Sequence, residues 1–91
     1  MFAIAFDMVI SDLKQNYGDP YNAYFDISNI MEKYGFYRAQ GSLYLTENRD
    51  MANLFRAIEA LKKTEWFRKS VRDIRTFRVE DWSNFTDFMK E

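Results

Sequence analysis

Asp7 is the residue of this sequence whose type and position are best suited to chemistry. It lies within the apolar run MFAIAFDMVI at residues 1–10, where an ionised carboxylate is costly unless a cation, a hydrogen-bond donor or water meets it. The chain contains no Cys and no His, so any catalysis must use carboxylates, hydroxyls, Lys or Arg, with or without an oxygen-liganded cation. We interpret Asp7 as functional. The alternative is that it ends a strand and caps the next loop.

The basic side chains are concentrated in the middle of the chain. Residues 36–79 contain ten basic and five acidic side chains, whereas the segments on either side are acidic, and the net charge is −1. This asymmetry is compatible with an anion-binding face and also with a set of solvated helix and strand surfaces. Charge alone favours the second interpretation somewhat. Arg72, Arg75 and Arg78 are candidates to bind phosphate; the alternative is that they form ion pairs at the edge of a strand.

The first ten residues predict a buried strand with two different faces. Large apolar side chains occupy the even positions from Phe2 to Met8, and Ala3, Ala5 and Asp7 occupy the odd ones. We expect the even positions to lie under helices and the odd positions to lie on an open face of the sheet.

A polar loop is predicted at 11–19, followed by an amphipathic helix at 20–34. Asp19 is the expected N-cap, Pro20 the first helical residue and Gly35 the left-handed residue that ends the helix. The apolar stripe of this helix, which we expect to face the core, comprises Tyr21, Tyr24, Phe25, Ile27, Ile30, Met31 and Tyr34.

The rest of the chain predicts two further β regions and two helices. We expect strands at 36–40 and 42–46 divided by Gly41-Ser42, a helix at 49–63 capped by Asn48, a strand at 70–79 and a short C-terminal helix. Ser83 is a candidate cap for that last helix, and Trp82 and Phe85 are expected to anchor an interface.

The element order β-α-β-β-α-β with a terminal helix predicts an α+β, ferredoxin-like fold in a single domain spanning 1–91. Its open sheet face would be exposed unless a second copy covered it, so we predict a two-fold dimer that brings two Asp7 side chains together. Asp7 and Asp12 interrupt the apolar run near the N-terminus, so we predict no signal peptide, no membrane span and a cytoplasmic location.

Four segments resemble virulence-associated protein D (VapD), a small bacterial family often encoded as the toxin of a toxin–antitoxin pair. They are MFAIAFDMVI at the start, YGFYRAQGSLY (34–44), DMANLFRAIEAL (50–61) and SVRDIRTFRVEDWSNFTDF (70–88). That family in turn resembles the small dimeric nuclease-like subunit of CRISPR adaptation systems, which has an apolar first strand ending in Asp and a Gln-x-Ser segment. Asp7 and Gln40-Gly41-Ser42 match those two features.

The resemblance implies a homodimeric endoribonuclease that acts on single-stranded messenger RNA and is controlled by a small antitoxin protein. It makes Asp7 the candidate catalytic carboxylate and Ser42 a hydroxyl near it, with Arg38 and Gln40 as supporting groups. Without the resemblance, Ser42 would be interpreted as a turn residue.

Two chemical routes are compatible with these residues. In one, the two Asp7 carboxylates of a dimer hold Mg²⁺ or Mn²⁺; in the other, no metal is needed, Asp7 takes the ribose 2′-OH proton, and Arg38 or another Arg neutralises the phosphate. The sequence does not choose between them. A different class of function, an inactive dimeric scaffold that works through a protein partner, is the main alternative.

Overall fold

The structure, a computed structural model, describes residues 1–91. It contains four strands and five helices. In chain order these are β1 (Phe2–Met8), α1 (Ile10–Asn16), α2 (Pro20–Glu32), β2 (Tyr37–Gln40), β3 (Leu43–Thr46), α3 (Met51–Lys63), α4 (Glu65–Ser70), β4 (Val71–Arg78) and α5 (Thr86–Lys90).

The strands form one antiparallel sheet in the order β2-β3-β1-β4. β1 therefore lies in the interior of the sheet, between β3 and β4, although it is the first element of the chain. This order, with α2 and α3 as the crossover helices, is that of a ferredoxin-like fold, and the predicted fold class is confirmed.

The two faces of β1 differ as the alternation of side chains predicts. Phe2, Ile4, Phe6 and Met8 are buried in a core shared with residues of α2, α3 and α4. Burial of each such side chain contributes roughly 1.5–3 kcal/mol. On the other face, Asp7 is exposed and Ala5 is partly buried.

Two helices were not predicted. Most of the segment 11–19, expected to be a loop, belongs to α1, which begins at Ile10, and α4 follows α3 directly. Each helix buries one apolar side chain, Leu13 in α1 and Phe67 in α4. The two helices pack against each other, with the rings of Tyr17 and Trp66 4.5 Å apart. One buried apolar residue in seven is too few to produce a helical stripe, so tertiary packing decides the conformation of α1.

The helix ends follow the predicted chemistry with one correction. The Asp19 carboxylate accepts a hydrogen bond from Tyr21 N at 3.0 Å, and Gly35 has a φ of +77° just beyond α2. The cap of α3 is Asp50, whose side chain accepts from Ala52 N, and not Asn48, whose side chain accepts from Asp50 N. Asn48 caps the turn that leads into the helix.

The outer face of α2 carries two aromatic side chains that we expected in the core. Tyr21 and Phe25 are 80% and 63% exposed, whereas Tyr24 and Tyr34 pack against the core as predicted. α2 thus carries aromatic side chains on its outer side as well as on its core-facing side. Helical periodicity alone cannot separate the two sets, so it predicts a single stripe.

The segment after β4 crosses the open face of the sheet. Trp82, Phe85 and Met89 line a cleft of about 530 Å³ together with Ala39 of β2 and Leu43 of β3. These two strands lie toward the edge of the sheet opposite β4. On this face Ala3 and Leu45 are buried within the single chain, so a second copy is not the only cover for it. The side chain that caps the terminal turn is Asn84, which accepts from Thr86 N at 2.9 Å, and not Ser83.

None of the helices is long and apolar enough to cross a membrane.

Candidate active site

Asp7 lies on the open face of the sheet directly opposite a second carboxylate. Its backbone partner in β4 is Asp73, at the position where the β1–β4 register shifts. Directly opposed residues in an antiparallel pair share a face of the sheet and have Cβ atoms about 4.5–5.5 Å apart. Both side chains are exposed, so the two acids can meet a ligand together.

The guanidinium group of Arg75 lies beside this pair of carboxylates. Arg75 Nε is 3.0 Å from Asp73 Oδ2, and Arg75 is the backbone partner of Ala5, two residues before Asp7. Because both partners are largely solvated, the ion pair is worth only about 0–1 kcal/mol. Arg75 can therefore exchange a carboxylate for a phosphate at little cost.

These residues line one shallow cleft of about 230 Å³. Its lining consists of Ala5, Phe6, Asp7, Asp73, Arg75 and Phe77. The small side chain of Ala5 leaves room above β1, while the ring of Phe77 forms one wall and is 46% exposed. The cleft thus combines two acids, a guanidinium and an exposed aromatic ring.

Ser42 lies in the turn before β3, beside β1 on the side away from β4. The backbone carbonyl of Ser42 accepts a hydrogen bond from Phe6 N at 3.2 Å, so Ser42 is bonded to the residue that precedes Asp7. The turn that holds it contains Gly41 with a φ of +44°, a conformation that favours glycine. Ser42 is not among the residues that line the cleft with Asp7 and Arg75.

Arg38 and Gln40 do not line this cleft in the subunit. Arg38 is the backbone partner of Tyr44, a core residue, so it lies on the helix side of the sheet. Its Nε donates to the Gly41 carbonyl at 2.6 Å and its guanidinium lies 6.0 Å from the ring of Tyr24. Gln40 lines the cleft beneath the C-terminal segment.

Arg72 and Arg78 lie near opposite ends of β4. Arg72 is exposed and falls at the register shift next to Asp73. Arg78, at the other end of the strand, lies over the ring of Phe2 at 5.7 Å. Of the three, only Arg75 lines the cleft that contains Asp7.

Asp73 is the site residue that sequence reasoning missed. The alternation of Asp73, Arg75 and Phe77 places them on one face of β4. The pairing of Asp73 with Asp7, however, depends on the register of β4 against β1. Because that register includes a shift between Asp7 and Met8, alternation within each strand could not give it.

The unpredicted helices hold the end of β1 from which Asp7 projects. Val9 N donates to the Ser70 carbonyl at 2.8 Å, and Asn16 Nδ2 donates to Ser70 Oγ at 3.2 Å. Ser70 is fully buried at the junction of α4 and β4. The backbone on both sides of the Asp7–Asp73 pair is therefore tied to the α1–α4 layer.

The site offers two carboxylates to a metal ion. Nowhere in the chain do three or more His, Cys, Asp or Glu side chains form a group that could hold one. Mg²⁺ and Mn²⁺ take about six oxygen ligands, so Asp7 and Asp73 fit such an ion only if water, phosphate oxygens or a second subunit complete the set.

The titrating groups with altered pKa values lie away from this cleft. A hydrogen bond to Asp26 raises the pKa of Tyr17, and Lys69, 2.7 Å from Glu65, lowers the pKa of that carboxyl group. The first pair joins the end of α1 to α2, and the second lies within α4.

Comparison with known proteins places the chain in a family. Residues 1–86 match the family model described as CRISPR associated protein Cas2. Endoribonuclease VapD 1 of Riemerella anatipestifer is 64% identical over 91% of this chain and 94% of its own length. The chain belongs to the VapD family.

Other VapD proteins match over almost the full length. Endoribonuclease VapD of Dichelobacter nodosus is 52% identical, covering 99% of this chain and 98% of its own. Endoribonuclease VapD of Haemophilus influenzae is also 52% identical, covering 99% of each chain. The predicted resemblance to VapD is thus confirmed, and the Cas2 match agrees with the ferredoxin-like sheet.

Proposed function

We propose that this protein is an endoribonuclease that cleaves single-stranded RNA at the Asp7–Asp73–Arg75 cleft. The activity is supported by VapD relatives of up to 64% identity that are named endoribonucleases. The residues are supported by the observation that two carboxylates and a guanidinium line one cleft in a chain without His or Cys.

In the metal-free form of the reaction, the Asp7 carboxylate takes the proton of the ribose 2′-OH. The 2′-oxygen attacks phosphorus, the bond from phosphorus to the 5′-oxygen breaks, and that oxygen takes a proton from water. Arg75 neutralises the phosphate oxygens as charge develops on them, and the Ser42 hydroxyl orients the ribose or phosphate. The products are a 2′,3′-cyclic phosphate and a 5′-hydroxyl.

A divalent cation bound to Asp7 and Asp73 would supply charge neutralisation and an acidic water molecule. In that form of the proposal, Asp7 and Asp73 are ligands, and Arg75 keeps its role at the phosphate. The two routes yield different products, because cleavage by a water nucleophile produces no 2′,3′-cyclic phosphate.

We further propose that two copies associate through the open sheet face and bring their Asp7 side chains together. Support comes from the apolar side chains exposed on that side, which include Tyr37, Phe77, Trp82 and Phe85. The role of a toxin held in check by a small antitoxin, acting on cytoplasmic mRNA, rests on the family resemblance.

The test uses one single-stranded RNA labelled at either end and incubated with purified protein, with Mg²⁺ or with a chelator. We expect internal cleavage, and the product ends assign the route: cyclic phosphates in chelator support the metal-free form. Absence of cleavage in every lane would contradict the nuclease proposal and favour the scaffold alternative.

A further inference from the structure

A positively charged groove runs across the helical side of the molecule, far from Asp7. Two adjoining clefts of about 460 and 430 Å³ form it between the end of α2, one side of α3 and the end of α4. The basic residues that line these clefts, called here the basic groove, are Lys33, Arg56, Lys62, Lys63 and Arg68.

The positive charges of the basic groove outnumber the nearby acids, which are Glu59 and, beside Arg68, Glu65. Glu59 is the single acidic side chain in its lining. The ion pairs of the chain are Lys69–Glu65 and Arg75–Asp73, so none of the five cations forms one. All five are exposed, and they give the groove a net excess of positive charge.

Helix dipoles account for some of these residues singly but not for their convergence. Lys62 and Lys63 lie in the last turn of α3 and Arg68 in the last turn of α4, where a cation gains about 0.3–1 kcal/mol. Arg56 lies in the interior of α3, where the dipole gives no such gain. Grouping all of them around one groove adds repulsion that a bound polyanion would relieve.

The chemistry of the lining favours phosphate over a protein partner. Protein interfaces depend on buried apolar or aromatic anchors near their centre, but one of the two clefts is lined only by Glu59, Lys62, Lys63 and Arg68. Arg56 and Lys63 are about 10 Å apart along α3, enough to contact more than one phosphate.

We propose that the basic groove binds the phosphodiester backbone of RNA outside the cleavage site, an inference that rests on the proposed ribonuclease function. Asp7 and the basic groove lie on opposite faces of a molecule whose smallest extent is 20 Å. An RNA strand that uses both must pass around an edge, so the groove contributes only to the binding of long RNA.

The experiment measures binding and cleavage separately. Fluorescence anisotropy gives the Kd of a labelled single-stranded RNA of about 30 nucleotides over a range of salt concentrations, and a gel then shows whether the RNA is intact. The variant Arg56→Gln/Lys63→Gln is compared with Arg49→Gln/Lys14→Gln, which removes the same charges from exposed positions outside the groove. Thermal unfolding verifies that both variants fold.

We expect the groove variant to bind the long RNA about 10-fold more weakly at low salt. The slope of log Kd against log salt should fall by roughly 1.4, or about 0.7 for each phosphate that the protein no longer neutralises. The control variant should change the Kd less than about twofold, and cleavage of an RNA of about five nucleotides should be the same for both proteins.

Three results separate the two proposals. An equal loss in both variants, or no loss in either, would overturn the role of the groove even if the RNA were cleaved. Polyglutamate serves as a second, acidic polypeptide ligand. If the groove substitutions weakened the binding of polyglutamate but not of RNA, the result would overturn the RNA-binding role in favour of an acidic protein partner. RNA binding that depends on the groove, without cleavage by any protein, would support the groove and contradict the nuclease function.

Discussion

Asp7 and Asp73 share one face of two adjacent strands, and Arg75 is the group that makes this arrangement useful. Two exposed carboxylates would repel a phosphate, but the Arg75 guanidinium lies 3.0 Å from Asp73 and brings a positive charge to the same cleft. Its fork of donors matches phosphate as well as carboxylate. We therefore propose that charge relief on an RNA substrate depends on Arg75 more than on the other arginines of β4.

Replacing Arg75 tests this role. We expect Arg75→Gln to slow single-turnover RNA cleavage roughly 100-fold, the scale of losing one donor to the developing charge. Arg78→Gln is the matched control, since Arg78 lies over Phe2 at the other end of the strand. Equal rates for the two variants would show that Arg75 is not the phosphate-binding group.

At the scale of elements, α1 and α4 act as a support for the end of β1 that carries Asp7. Their buried side chains, Leu13 and Phe67, belong to the same core as Phe6 and Met8, and the ring of Phe67 packs edge-on against Phe6 at 5.3 Å. Loss of this layer should therefore affect both stability and the position of Asp7.

Phe67→Ala should lower the free energy of unfolding by about 3–5 kcal/mol, because it leaves a cavity under β1. Phe55→Ala, at an exposed position on α3, should cost about 0.5 kcal/mol or less. Urea denaturation followed by circular dichroism measures both. Similar small effects would mean that α4 contributes little to the core.

The bond between Tyr17 and Asp26, which joins the end of α1 to α2, predicts a pH dependence. The pKa of Tyr17 is raised in the folded protein, so this stabilisation is complete below the ordinary tyrosine pKa of about 10 and is lost as pH rises through the higher folded value. The urea midpoint should fall at alkaline pH, and less steeply in Tyr17→Phe. The exposed Tyr21→Phe should retain the wild-type slope; if it does not, the effect belongs to tyrosines in general.

At the scale of the whole molecule, the C-terminal segment leaves apolar surface on the side of the sheet that carries Asp7. Phe85 and Phe88 are 63% and 67% exposed, and the segment lines a cleft with β2 and β3. A second copy that covers this surface would place two Asp7–Asp73 pairs near one axis.

Phe85→Asp should therefore shift the protein from dimer to monomer in sedimentation equilibrium. Phe55→Asp is the matched control, because Phe55 is similarly exposed at 59% but lies on α3, on the other side of the molecule. Dimers in both variants, or a monomeric wild type, would contradict association through the open face.

The order of the strands and crossover helices and the faces of the strands could be predicted because side-chain periodicity is written directly in the sequence. Phe2, Ile4 and Phe6 needed only alternation to be assigned to the core, and Asp19 and Gly35 needed only helix-cap chemistry. The short helix α1 could not be predicted, since Leu13 alone gives no period and its packing partner lies in α4.

The site could be predicted only in part because it is assembled by register. Asp7 was visible as a charge in an apolar strand, but Asp73 becomes its neighbour through pairing across a register shift. The family resemblance makes Arg38 a supporting group of Asp7, but a second register shift between Arg38 and Gln40 accompanies its position on the opposite face. Such shifts leave no periodic signal in a single sequence.

The most direct test of the account is the single-turnover rate of RNA cleavage by Asp7→Asn, measured beside Asp81→Asn, which removes one acid from an exposed position outside the cleft. Asn keeps the size of the side chain and removes its charge, so both variants should fold. We predict a loss of at least about 100-fold for Asp7→Asn and none for Asp81→Asn. Cleavage by Asp7→Asn at the wild-type rate would show that this carboxylate does not perform the reaction.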